Sequence, residues 1–476
     1  MSEFSSILSK YVHEKNIKTY SLAQYCGLDR SNMYKIINGK RKPASLNMVR
    51  KMAQFMQLSP EEKHDLEEAY AITLEGPENY YRRKEVLEFF RDFTLSAAPL
   101  PPFHYNARIE EEEKIFLNSS IEVMQTFFHM ISSEMSSGTH GHLRLLVQPD
   151  AAFLVNLISA ECQRDAGIRI EHIFCLDSHS HSGQSKKNYN LNCLKQILPL
   201  YGSCRNYEAY YYYDDISSRT GSLTLLPYMI VTSRCVCLLT AGLNKGCVLH
   251  SRESIRMFSD IFDEYLQEST PLLNQITDVQ DQLNYAARLL QESITGYSFQ
   301  MSPCFTPFIT FAQVEKYVRK DISGRELFIA HFQEYVKKTL TLCSQSKITS
   351  IFSYDGVRRF LESGRIDEYP QDVCLPFDPP DRAALVKKLI PVCKTGAFRM
   401  LRKDIGSSLY ELYLFVNTKN GYLMFPSPYS RHPVYLNIEE PGLLYAFYDF
   451  CENLDESLFC TPKEAESLLT ELIQDF

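Results

Sequence analysis

Within the first 72 residues the chain repeats one signature five times: an apolar stripe at helical spacing, bounded by a capping residue or a turn residue. Phe4, Ile7, Leu8, Tyr11 and Val12 make the first stripe. Leu22 and Ala23 point inward from a second helix that starts at about Ser21, and Gly27 ends it with the left-handed residue a tight turn needs. Asp29 is placed to cap a third helix, with Met33, Ile36 and Ile37 as its buried side. Asn38-Gly39 stops that helix, and the basic loop Lys40-Arg41-Lys42-Pro43 follows. Ser45 caps a fourth helix carrying Leu46, Val49, Met52, Ala53 and Met56; Pro60 opens a fifth with Leu66, Ala69 and Tyr70. Helices this short are marginal alone and must bury their stripes against one another, which predicts a five-helix bundle with a helix-turn-helix at its centre.

Charge separates this head from the rest of the chain. Met1 to Leu58 holds ten basic residues against three acids, a net of +7, so a chain of formal charge -8 carries -15 elsewhere. A whole surface devoted to nucleic acid is excluded, and a small basic head on a large acidic body is implied.

The segment Ser21 to Pro43, SLAQYCGLDRSNMYKIINGKRKP, resembles the DNA-binding domain of the Cro/lambda-repressor-like (XRE) family, with Leu22-Ala23, Gly27-Leu28, Arg30-Ser31, Ile36, Gly39 and Pro43 in register. Two positions depart from that pattern: Thr19 stands where the family often has a phosphate-bonding Gln, and Ile37 where a Glu is common. The resemblance implies a recognition helix whose exposed side reads base edges in the major groove. Here that side is Arg30, Ser31, Asn32, Tyr34 and Lys35, with Arg30 or Lys35 suited to guanine and Asn32 to adenine. Lys18, Thr19, Ser21, Asn38, Lys40 and Arg41 are expected to hold phosphates.

The expected architecture is multidomain: an all-α helix-turn-helix domain over residues 1–74, a linker helix and Pro-rich connector over 75–103, then a duplicated α/β body with similar copies at 104–272 and 273–476. The linker carries an aromatic stripe from Tyr81 to Phe93, suited to packing on its neighbour or to a dimer contact. Duplication is read from element order. Leu145 to Asp150 is matched with Ser350 to Asp355, and Cys193 to Tyr201 with Leu385 to Cys393, placing Pro199 over Pro391. Asp214-Asp215-Ile216 is matched with Asp404-Ile405, and hairpins follow at Tyr228 to Thr240 and Leu412 to Phe425. Helices at Met257 to Leu266 and Leu444 to Leu454 close the copies, which are expected to meet about a pseudo-two-fold axis with a ligand cleft between them. In element order the body resembles a phospholipase D-like fold. Such enzymes need His-x-Lys-x4-Asp in each copy, and no histidine of the body opens that motif, so the body is read as non-catalytic.

No dinucleotide, Walker, nucleophile-elbow or HExxH motif occurs, and no cofactor or metal is expected. His179 and His181 in a Ser-rich loop, Glu110 to Glu113 at a helix start, and the run Tyr210 to Tyr213 read as exposed loop, solvated face and cross-strand packing. The fourteen cysteines are scattered, with Cys235 and Cys237 the nearest pair, and read as reduced thiols. Neither a secretory signal nor a spanning segment is recognised, and Pro227 and Arg234 interrupt the most apolar stretch, so the expected location is cytoplasmic. Together these features anticipate a transcriptional regulator that binds a double-stranded operator as a homodimer and whose body senses a small-molecule or protein effector. The alternatives are a protein-interaction scaffold recruited to DNA and an enzyme tethered to it.

Overall fold

A computed structural model describes residues 2–93, 113–136, 141–149, 151–162, 167–178, 188–215, 225–276, 295–322, 324–345, 348–405, 412–426 and 433–476. The chain divides into two compact units, Met1–Glu85 with His181–Asn188, and Val86–Ser180 with Tyr189–Phe476.

The first unit contains α1 (Glu3–Glu14), α2 (Thr19–Tyr25), α3 (Arg30–Ile37), α4 (Leu46–Phe55) and α5 (Pro60–Glu75). Side-chain caps fix four of the starts: Ser2, Asp29, Ser45 and Ser59 each accept from a backbone N–H of the first turn. Ser59 does so in a capping box with Glu62, and Pro60 follows as the first helical residue. The five stripes meet in one core of Phe4, Leu8, Leu22, Met33, Ile36, Val49, Met52, Leu66 and Tyr70. Lys15 and Glu62 pair at 2.8 Å across α1 and α5, and the Tyr70 hydroxyl donates to the Pro43 carbonyl at 3.3 Å.

A further helix, α6 (Pro77–Arg91), spans the division. In its first half Tyr80 and Lys84 both bond Glu68 of α5, and Arg83 bonds Glu75. In its second half Val86, Phe89 and Phe90, with Phe93 beyond, are buried in the core of the second unit, so this part of the aromatic stripe is packing. The Pro-rich connector lies outside the described residues.

The second unit is mixed α/β and holds two sheets. The first comprises β1 (Lys114–Leu117), β2 (His142–Leu146), β3 (Arg169–Asp177), β4 (Asn206–Asp214), β5 (Tyr228–Val231), β6 (Val236–Leu239), β7 (Gly246–Leu249) and β8 (Thr270–Pro271), in the order β1-β7-β6-β5-β2-β3-β4-β8. β2, β3 and β4 are parallel to one another and every other pairing is antiparallel. Helices α7 (Ser120–Met135), α8 (Ala152–Cys162) and α9 (Tyr189–Ser203) share a core with Leu143, Leu145, Ile170 and Phe174 of this sheet. Helix α10 (Arg252–Gln267) instead joins Leu146, Ile173, Met229, Val231 and Val236, the residues that alternate with those on the strands.

The second sheet comprises β9 (Leu273–Gln275), β10 (Gly296–Phe299), β11 (Ile348–Ser353), β12 (Phe398–Leu401), β13 (Tyr413–Asn417), β14 (Gly421–Phe425) and β15 (Val434–Ile438), in the order β12-β11-β10-β13-β14-β15-β9. Here β10, β11 and β12 are the parallel strands. Helices α11 (Phe311–Tyr317), α12 (Arg325–Gln345), α13 (Tyr354–Ser363), α14 (Pro379–Thr395) and α16 (Pro462–Asp475) bury a core with Phe352, Phe398 and Met400. Helix α15 (Pro441–Glu452) lies with Phe299, Leu414, Leu423 and Leu436 and packs against α9. Phe89 stands 5.5 Å from Phe447 of α15, and Phe90 4.9 Å from Phe299.

One expectation is corrected. Cys162 and Cys204 are bridged, with Cα atoms 5.4 Å apart: the end of α8 and the residue after α9 come together, a proximity that 42 residues of separation conceal. Among the described residues no helix is long and apolar enough to cross a membrane.

Candidate nucleic-acid interface

Two clamps determine which way α3 faces. At its start the Asp29 carboxylate accepts the Asn32 backbone N–H at 2.7 Å and, through its other oxygen, the Asn32 side-chain amide. At its end Gly39, at φ +71°, turns the chain so that the Lys40 N–H donates to the Lys35 carbonyl at 2.8 Å and the Gly39 N–H to the Ile36 carbonyl at 3.0 Å. The same device closes α2 at Gly27, φ +69°, where the Leu28 N–H donates to the Ala23 carbonyl at 2.9 Å. With Met33, Ile36 and Ile37 buried between these clamps, Arg30, Ser31, Tyr34 and Lys35 are exposed and Asn32 is half-buried.

The exposed side chains form a cationic, hydrogen-bonding strip. The Arg30 guanidinium stands 5.7 Å from the Tyr34 ring, a spacing that lets the ring support the cation. Lys40 and Arg41 follow α3 and are exposed; Lys18 is exposed immediately before α2, with Thr19 and Ser21 half-buried in its first turn. Asn38 is exposed and donates its amide to the Tyr34 carbonyl at 2.9 Å. One contact has no signal in the sequence: Arg41 Nη1 donates to the Asn32 side-chain oxygen at 2.8 Å. Asn32 is therefore held from both sides, by Asp29 and by Arg41, and fixes the basic loop against the start of α3. Tyr20, 63% exposed beside Thr19, is a further surface group that periodicity does not single out.

In the body, a cleft of about 450 Å³ opens where the chain passes from β8 to β9, and so from one sheet to the other. Arg169, Arg205, Asn206, Glu208, Tyr210 and Asn274 are among its lining residues. Arg169 pairs with Glu208 at 3.2 Å and with Glu171 at 2.8 Å. Burial alone would raise the Glu171 carboxyl; the hydrogen bond from His142, with the charges of His142, Arg169 and Arg144, outweighs it and holds the group below the usual carboxylate range. The neighbouring His172 is buried with both ring nitrogens bonded, to the Tyr207 hydroxyl and the Val147 carbonyl at 2.8 Å each, and burial pushes its pKa down to about 4.

The remaining sequence candidates are structural or lie outside the described residues. Among the described residues no group of three or more His, Cys, Asp and Glu is arranged to hold a metal. Cys235 and Cys237 are buried free thiols, and burial raises both. Tyr211 belongs to the main core, whereas Tyr210 and Tyr212 border the α10 face. His179, His181 and Glu110 to Glu112 fall outside the described residues.

Comparison with known proteins bears on the head. Residues 8–63 match the family model of the Cro/C1-type HTH DNA-binding domain. No curated protein matches the chain. Among solved structures, the chain is similar to the archaeal chromatin protein TrmBL2, reported with a novel mode of DNA binding, at 13% identity and a TM-score of 0.24 over 51% of this chain and 84% of that one. It is also similar to the phosphatidylserine synthase of Haemophilus influenzae Rd KW20, at 11% identity and a TM-score of 0.22 over 83% of this chain and 98% of that one. Scores this low carry no assignment of the body. The family match spans α2, α3, α4 and both glycine turns, and residues 8–63 are accordingly a Cro/C1-type helix-turn-helix DNA-binding domain.

Proposed function

We propose that the chain is a sequence-specific transcriptional regulator that binds a double-stranded operator as a homodimer in the cytoplasm, with a non-catalytic body that senses an effector. The observation that carries the reading is the outward face of α3, where Arg30, Ser31, Tyr34 and Lys35 are exposed above a buried Met33, Ile36 and Ile37. Side chains at the start of such a helix reach base edges, and Lys18, Lys40 and Arg41 flank them as phosphate contacts. The test is binding of the full chain to duplexes selected from a random pool. Preference for the selected duplexes, lost in Arg30→Ala, supports the reading; equal affinity for selected and random duplexes overturns it.

A duplicated body is part of the proposal. Placing β2, β3 and β4 on β10, β11 and β12, and β5, β6, β7 and β1 on β13, β14, β15 and β9, gives the same strand order with the same parallel and antiparallel pairings. Even the extra pairing on β4, from β8, has a counterpart in the antiparallel bridge of Leu401 to Phe459. In this alignment α9 and α14, each with an internal proline, correspond, as do α10 and α15. One match made from sequence shifts: Leu145 lies in β2 and Ser350 in β11, so the partner of Asp355 becomes Asp177.

For the effector, the cleft where β8 passes to β9 favours a small polar molecule over a protein, since its volume of about 450 Å³ is of small-molecule size and Arg205, Asn206, Glu208 and Asn274 line it. A ligand there acts on DNA binding only to the extent that it prefers one arrangement of the paired heads.

A further inference from the structure

We propose that the recess outside the carboxyl ends of β10, β11 and β12 binds a protonated amine that carries an oxygen acceptor on the adjoining carbon. Glu368 takes the ammonium and Gln300 the oxygen. The site shares no residue with the cleft where β8 passes to β9, and the inference does not rest on the DNA-binding reading.

Topology puts the recess there. In the order β12-β11-β10-β13 the chain leaves β10 toward β11 and later returns to its other side, antiparallel, as β13. Open α/β sheets bind ligands at such a reversal, beyond the strand ends. Residues 300–306 leave β10 at this edge, α13 begins directly after β11, and the turn 364–370 follows α13. Ser302 and Tyr413, the residue that opens β13, both donate to Asp367 at 3.0 Å. Thr306 donates to Glu368 at 3.4 Å and Cys304 at 3.9 Å, both to the same oxygen, and Tyr369 bonds Thr306 in turn.

Two groups in this recess are unfinished. Gln300, the first residue past β10, is 4% exposed; its Nε2 makes no hydrogen bond among the described residues and is turned toward Glu368. At the matching end of the first sheet Gln148 is equally buried, yet its amide reaches Tyr189 and both backbone groups of Cys175 within 3.2 Å. Glu368 is the second. It is half-buried, so solution reaches it, but burial pushes its carboxyl up to about 7, a combination that belongs to the floor of a recess. After burial, the groups that act most on it are Gln300, Cys304, Asp367 and Thr306, none of them a cation. Arg359 is shared among Asp367, Asp404 and Asp355.

A carboxyl stripped of water without a counter-ion keeps its proton or takes a cation from solution. Four carboxyls against one guanidinium disfavour an anion, and among the described residues no group of three or more His, Cys, Asp and Glu is arranged to hold a metal. An organic ammonium remains. Tyr335 and Tyr369, half-buried beside Glu368, add phenol oxygens that accept from it. The unspent Nε2 donor of Gln300 then asks for an acceptor on the same molecule, next to the nitrogen.

Calorimetric titration of the full chain at pH 8 in phosphate buffer tests this with ethanolamine, ethylamine (no acceptor) and ethylene glycol (no ammonium). For ethanolamine a dissociation constant on the order of 1–10 mM is expected, the range open to so small a ligand. Ethylamine should bind about fivefold more weakly, and ethylene glycol not at all. Glu368→Gln should weaken both amines at least tenfold. Gln300→Met should bring ethanolamine down to ethylamine and leave ethylamine unchanged, a selectivity that misfolding cannot produce. The three-ligand comparison in wild type needs no variant to fold. Ethanolamine binding no better than ethylene glycol, ethylamine matching ethanolamine, or either variant binding like wild type overturns the inference. None of these readings involves DNA, so their failure leaves the regulator reading to its own test on selected and random duplexes.

Discussion

Asn32 illustrates how a single side chain divides the functional reading. Its nitrogen bonds Asp29 and its oxygen accepts from Arg41, so as an adenine reader it would exchange these partners for the base edge. Because Asn32 and Arg41 are bonded to each other, Asn32→Ala and Arg41→Ala should be non-additive: titration of selected duplex DNA with the double variant is expected to show little more loss than the worse single change. Arg30 and Lys35, exposed on the same helix, should behave differently. Alanine at either is expected to remove about 1–3 kcal/mol of discrimination at one base pair, read by competition between duplexes differing at that pair. In the body, His172 carries a pH prediction. Its folded pKa of about 4 lies below the ordinary value of 6.5, so the unfolded chain binds the extra proton between those values and stability falls as pH drops through that window. At about 1.4 kcal/mol per unit the loss is on the order of 3 kcal/mol by pH 4. Chemical denaturation across that range should show this slope in wild type and its absence in His172→Asn. Glu171 acts lower on the pH scale: its lowered carboxyl contributes stability above the ordinary carboxylate pKa, lost as pH falls through its own depressed value.

At the scale of elements, the turns carry the head, and Gly39 is the most constrained of them. A side chain there meets both a positive φ and the Ser5 hydroxyl of α1, 2.7 Å from an added Cβ, so Gly39→Ala should cost about 1–2 kcal/mol and lower the melting temperature. Gly27 has the same φ with open space around it, so Gly27→Ala should cost less, which makes the pair an internal control. These elements were legible because their signals are local: Asp29, Ser45, Ser59 and the two glycines lie within a few residues of the ends they define. α2 is the exception, starting at Thr19 with no side-chain cap, two residues before the expected Ser21. In the body the hairpins, the proline-bearing helices α9 and α14 and the closing helices α10 and α15 stand at the expected places, again from local pattern. What sequence did not reveal is set by distant partners. β2 and β11 look alike because both are apolar parallel strands, and only pairing separates them. The Cys162–Cys204 bridge, the packing of α9 on α15 and the hold of Arg41 on Asn32 are likewise contacts between separately formed pieces.

Across the whole molecule the governing quantity is the charge split, +7 over the first 58 residues against -15 beyond, with a total of -8. DNA carries a dense negative charge, so under the proposed reading the acidic body is expected to repel the duplex at long range while the head neutralises phosphates. The balance between these terms is set by ionic strength, because the Debye length shortens from about 30 Å at 0.01 M to about 8 Å at 0.15 M. Counterion release makes the head's affinity fall as salt rises, while screening relieves the body's repulsion over the same range. The log of affinity against log salt should therefore be shallow at the lowest salt and steepen once the body is screened. Lys18→Ala, Lys40→Ala and Arg41→Ala should each reduce the steep limiting slope by roughly one. That reduction should be the same on selected and random duplexes, because these side chains are assigned to phosphates and carry no sequence information. Should Lys40→Ala instead lower affinity for the selected duplex alone, Lys40 would have to be moved from the backbone set to the base-reading set beside Arg30 and Lys35.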